Sequence, residues 1–145
     1  MKKFELTTET LVRDGVTLYR IKALKDFGEV KAGELGGFIE SEQNLSQSDN
    51  AWVSDNAWVF DNAWVSGNAR LSGNAEVSGD AWVYGNTWVS GDAKVFGNAR
   101  LSGNAEVFDN AKVSGSAWVS GSAKVSGNAW VFDNAWVSSD GFSYG

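Results

Sequence analysis

The chain has 145 residues, 43% of them hydrophobic and 13% aromatic, and carries a net charge of −6. That length points to one domain, and that apolar content excludes a disordered chain. The acidic balance opposes binding by phosphate neutralisation, so no nucleic-acid partner is expected.

The absences narrow the chemistry further. With no histidine, imidazole is not available as base, acid or metal ligand. With no cysteine there are no disulfides, thiol nucleophiles or thiolate metal sites. No apolar run is long enough to span a membrane, and Met1-Lys2-Lys3 leads into Phe4-Glu5-Leu6-Thr7 without an apolar signal core. A cytoplasmic location and no membrane association are the expectations.

In chain order, the first element predicted is a β-hairpin. Thr10 to Arg13 and Val16 to Leu24 flank Asp14-Gly15, a pair suited to a type I′ turn. Gly33, Gly36 and Gly37 mark a loop into Phe38-Ile39. Residues 1–38 read as an N-terminal cap. Residues 39–50 read as an irregular lead-in coil, with Ile39 and Leu45 on the alanine positions of the repeat that follows and Ser41 and Gln47 on its valine positions.

From Ala51 to Asp140 the chain divides into fifteen hexads without insertion, with the consensus Ala-x-Val-Ser-Gly-Asn. Ala and Val sit two apart, so in a strand they share one face. The variable residue between them and the Ser, Phe or Tyr after Val point the other way. Gly or Asp, then Asn, make the corner. A helix is excluded, because six residues do not match its period and each corner would break it. One hexad cannot bury its own core, so hexads must wrap and stack as a solenoid. A cap is then required to cover the apolar core and the unpaired strand edges of the first coil.

The stretch Leu24-Lys25-Asp26-Phe27-Gly28-Glu29-Val30-Lys31-Ala32-Gly33-Glu34-Leu35-Gly36-Gly37-Phe38-Ile39, followed by Asn44-Leu45-Ser46-Gln47, resembles the start of YdcK-like hexapeptide-repeat proteins of bacteria and prophages. The resemblance implies three hexads per 18-residue triangular coil. The fold class expected is therefore all-β: a left-handed parallel β-helix of about five regular coils over residues 39–145, with the hairpin cap over residues 1–38. The family is often labelled acyltransferase, which implies acyl transfer on a trimer with a catalytic histidine and loops that interrupt the coils. This chain has neither the histidine nor the interruptions.

On 18-residue coils the outward side chains form columns. The first face carries Trp52, Arg70, Trp88, Glu106 and Lys124. The second carries Trp58, Glu76, Lys94, Lys112 and Trp130. The third carries Trp64, Trp82, Arg100, Trp118 and Trp136, beside Tyr84. All eight tryptophans point outward, more than an isolated prism calls for. Trp64, Trp82, Tyr84, Arg100, Trp118 and Trp136 are the interface candidates, with Arg100 placed to stack on Trp82 or Trp118. Trp52, Arg70 and Trp88 are a second set. The serines beside the third-face tryptophans leave room for a partner's rings.

The remaining polar residues read as structural. Asn50, Asn68, Asn86 and Asn104 are placed for a stacked amide ladder. Glu76 with Lys94, and Glu106 with Lys124, are opposite charges on adjacent coils. No corner position carries acids on successive coils, so no metal site is expected. No serine has a base beside it, so no catalytic residue is named. No cofactor is expected.

The functional expectation is a non-catalytic, self-associating scaffold or binding module, a homo-oligomer of two or three prisms. Two alternatives stand beside it. One is a prophage-type inhibitor that binds a host protein or sequesters a nucleotide-like ligand on the Trp/Arg columns. The other is an acyltransferase, by fold analogy alone.

Overall fold

The structure, a computed structural model, describes residues 2–138 and, in backbone only, the strand Gly141–Tyr144. Its core is a parallel β-solenoid built on three sheets. One sheet begins at Trp52–Val53, the next at Trp58–Val59 and the third at Trp64–Val65, and each gains one strand per coil. Regular coils begin at Ala51, Ala69, Thr87, Ala105 and Ala123, and successive coils pair in register, Val53 on Leu71 and Val89 on Val107.

The backbone explains the hexad. The N–H groups of its second, fourth and sixth residues donate to the next coil: Trp52 to the Ala69 carbonyl at 3.1 Å, Ser54 to Leu71 at 2.9 Å and Asn56 to Gly73 at 3.0 Å. The corner closes with Ala57 N–H donating to the Ser54 carbonyl at 3.1 Å. It requires a left-handed residue, Asp55 at φ 56° in the first coil and Gly73 at φ 62° in the second. Inside, the Ala and Val or Leu positions are buried from Ala51 to Val131. Val137, expected in that core, is only partly buried, because it belongs to the last described coil and no described side chain closes over it.

Thr87 is the one departure from alanine in that inner column. It is 1% exposed, and its hydroxyl has no hydrogen-bond partner. A buried unsatisfied hydroxyl costs about 1–3 kcal/mol. Thr87→Val keeps the shape and removes the hydroxyl, so urea unfolding should show a gain of about 1–2 kcal/mol.

The cap is a hairpin, as the sequence suggested, but longer. Strand β1 (Phe4–Arg13) pairs antiparallel with β2 (Val16–Ala23), and Asp14 and Gly15 turn at φ 52° and 81°. Strand β3 (Leu35–Ile39) joins β2 to the second face by pairing with Trp58–Val59. Gly36 and Gly37 lie within β3 and not in a loop. A Cβ on Gly36 would sit 2.5 Å from the Val53 carbonyl oxygen and 2.7 Å from Ile21 and Trp52, so the strand can press onto the first coil only as glycine.

The lead-in coil corrects the repeat arithmetic. Ile39 pairs with Val59, and Leu45 bridges to Val65, so both fill the valine position and not the alanine one. Two extra residues in the corner between Leu45 and Val53 restore the spacing. The larger side chains thus occupy the wider interior position.

Lys3 holds that enlarged corner in place. Its ammonium donates to the carbonyls of Asp49 at 2.9 Å and Ala51 at 2.6 Å, and lies 3.8 Å from the Asp49 carboxylate. Burial pushes its pKa down to about 8, and Asp49 only partly opposes the shift. The unfolded chain keeps this proton up to about 10.5, so between about 8 and 10.5 it binds more protons than the folded chain. Stability contributed by Lys3 therefore rises with pH across that window and is lost as pH falls through 8. Urea midpoints measured from pH 7 to 10 should climb more steeply in the wild type than in Lys3→Met.

Candidate functional site

The first regular coil places tryptophan at the same hexad position on all three faces, yet the cap treats them differently. Trp52 is 4% exposed, Trp58 is half-buried and Trp64 is 41% exposed. The expectation that Trp52 offers an outward surface is therefore wrong. Phe27 of the cap packs edge-on against it at 5.3 Å, and its indole N–H is left without a partner. Arg70, expected between Trp52 and Trp88, turns to the cap and pairs with Glu29 at 3.2 Å. Trp88 stays 51% exposed, over a shallow hollow it shares with Ser90, Glu106 and Phe108.

The third face does assemble. Trp64 meets Trp82 edge-on at 5.6 Å, and Trp82 meets Tyr84 edge-on at 6.2 Å. The Arg100 guanidinium lies 4.9 Å from the centre of the Trp82 ring, one of the two positions anticipated. Trp118 and Trp136 stack nearly parallel at 5.4 Å and 13°. The column is thus two aromatic groups with Arg100 tied to the lower one. Trp64, Trp82, Trp118 and Trp136 remain 41%, 40%, 38% and 67% exposed.

The serines on this face are not vacant space. Trp118 donates its indole N–H to the Ser102 hydroxyl one coil below at 3.0 Å, and Trp136 does the same to Ser120 at 3.0 Å. Trp130 and Ser114 repeat the contact on the second face at 2.9 Å. Each ring lies down over the serine beneath it, which leaves Ser102 only 8% exposed. That room is not open to a partner as expected, because the spacing of coils, about 4.8 Å, brings the chain's own indole within reach first. Ser102→Ala should cost about 0.5–1 kcal/mol in urea unfolding and raise the exposure of Trp118 to acrylamide quenching.

The polar columns follow the expected plan in part. Asn68 donates to Asn86 at 2.9 Å and Asn86 to Asn104 at 3.2 Å. Glu76 lies 3.9 Å from Lys94, whereas Glu106 and Lys124 are neighbours in register without an ion pair. The scattered corner acids have a purpose the sequence did not disclose. Asp55, Asp61 and Asp109 accept from the corner Gly N–H one coil on, Gly73, Gly79 and Gly127, at 3.0 to 3.1 Å. Among the described residues no group of His, Cys, Asp or Glu is arranged to hold a metal ion, and no helix is long and apolar enough to cross a membrane.

Residues 69–85 match the family described as YdcK Beta solenoid repeat. The matched segment starts at a coil boundary and covers most of the second regular coil, whose strands pair on both sides with the coils next to it. No curated protein matches the chain.

One cluster escaped the sequence reading. Arg13, at the hairpin tip, lies over Trp58 of the second face at 5.3 Å, and Arg20 lies over Phe38 at 4.4 Å. Strand β1 is three strands from Trp58 in the sheet order, so the hairpin must curl over the face to make this contact. Irregular pairing between Leu6 and Thr10, and between Arg20 and Lys22, supplies the bend. Nothing in local composition announces those irregularities.

Proposed function

We propose that this chain is a non-catalytic scaffold that associates with itself through the third face of its solenoid. One observation carries the reading: Trp64, Trp82, Trp118 and Trp136 stay 38–67% exposed along one face whose strand positions carry a single charge, Arg100. Exposed apolar columns of this extent mark association surfaces. The serine contacts and ring stacks hold the indoles in place, so little side-chain entropy is lost on docking. A chain without histidine also lacks the usual base for acyl transfer.

Area sets the expected strength. Five coils at about 4.8 Å and a side of six residues limit the face to roughly 24 by 20 Å. Two such faces bury at most about 1,000 Å² together, below the 1,200–2,000 Å² of stable complexes. The association should be reversible, with a dissociation constant of about 10–500 μM.

Sedimentation velocity between 10 μM and 1 mM tests this. The wild type should shift from monomer to dimer or trimer across the range. The double variant Trp82→Ser with Trp118→Ser should remain monomeric with unchanged far-ultraviolet circular dichroism. A wild type that sediments as a monomer throughout, or a double variant that associates equally well, overturns the reading and leaves the face to a foreign partner.

A further inference from the structure

The curled hairpin and the second face enclose a groove of about 440 Å³, lined by Leu11, Arg13, Arg20, Phe38, Asn56, Trp58, Asn74 and Glu76. That volume lies within the range of small-molecule sites. We infer that this groove binds a flat aromatic ring carrying one carboxylate.

The charges in the groove decide the class. Arg20 is neutralised by Glu9 at 2.9 Å and also donates to the Gly36 carbonyl at 2.7 Å. Glu76 is balanced by Lys94 at 3.9 Å. Arg13 has no carboxylate partner among the described residues, and its guanidinium donates to the neighbouring Val12 carbonyl at 3.0 Å. The groove therefore holds one uncompensated cation in a protein whose net charge is −6. A single negative charge complements it, whereas the second charge of a dianion would find no unpaired cation in the groove.

The aromatic lining decides the shape. Trp58 is half-buried, and the Arg13 guanidinium shades its ring at 5.3 Å. A planar ring can displace the guanidinium from that π face, with Leu11 as further apolar lining, while its carboxylate pairs with the displaced guanidinium through two hydrogen bonds. Asn56 is an exposed amide that can orient the polar end, and Asn74 beside it donates to Asp92 at 3.2 Å. The site lies on a different face from the proposed self-association surface, so either can fail alone.

Titration followed by ¹H–¹⁵N correlation spectra tests this, with the Trp58 indole resonance assigned through Trp58→Phe. Indole-3-acetate is the probe, indole supplies the ring without the charge, and acetate the charge without the ring. Indole-3-acetate should shift the Trp58 signal with a dissociation constant of about 1 mM, the strength open to so small a ligand. Indole, acetate and the exposed-tip variant Arg13→Gln should each bind at least tenfold more weakly. Equal binding of indole and indole-3-acetate, unchanged affinity in Arg13→Gln, tighter binding of adenosine monophosphate, or no Trp58 shift at 10 mM overturns the inference.

Discussion

Every coil must leave the next one an identical floor. Backbone N–H groups at alternate hexad positions point along the solenoid axis to carbonyls one coil away, as in Trp52 to Ala69 and Ser54 to Leu71. A buried backbone group without a partner is costly, so the hydrogen-bond ladder holds one 18-residue register from Trp52 to Val137, and only the pairing of Lys124 with Gly141 is a residue shorter. One inserted residue would turn valines outward and offset every coil after it. The fifteen hexads without an insertion are the sequence consequence of that ladder. Among the described residues the extra ones lie in the corner between Leu45 and Val53, before the first regular coil, and the buried Lys3 ammonium ties up the carbonyls of Asp49 and Ala51 there.

The same spacing governs the outside. Side chains stacked one coil apart are nearest neighbours, so each outward residue is shaped by the one beneath it. An indole laid over serine satisfies its N–H within the chain, as Trp118 does on Ser102. A corner aspartate reaches one coil on to a glycine N–H, as Asp55 does to Gly73. This pairing accounts for Asp55, Asp61 and Asp109. Asp80 and Asp92 accept instead from the side-chain amides of Asn62 and Asn74 one coil below, and two carboxylates in succession would repel.

Inward positions were legible because they obey one rule each. Valine and alanine two apart, followed by Gly-Asn, specify strand, corner and core without reference to anything distant. Outward positions were legible only where neighbours within the repeat decide them. Arg100 on Trp82 and the Asn68, Asn86, Asn104 ladder follow from 18-residue columns alone. Trp52 does not, because Phe27 lies outside the repeat and nothing in its local sequence says which face it will cover. Ile39 and Leu45 were misplaced for a related reason. Counting back in sixes assumes a constant corner, and that assumption fails where the cap enlarges one. The curl of the hairpin over Trp58 depends on strand irregularities, which are tertiary features.

The cap also breaks the threefold equivalence that the repeat would otherwise have. Its segment at Phe27 and Glu29 lies over Trp52 and Arg70 on the first face. Its hairpin extends the second face and bends over Trp58. On the third face only the short turn Glu42–Asn44 approaches, and Trp64 above it stays 41% exposed. Charge divides the faces in the same sense, since the first and second mix Glu, Lys or Arg with their aromatics while the third carries Arg100 alone. Three faces of near-identical backbone thus differ in two independent ways, by obstruction and by charge. Both leave the third face as the flat, apolar one. Among the described residues the cap leaves that face uncovered beyond Glu42–Asn44, while the groove under the hairpin opens on the second face.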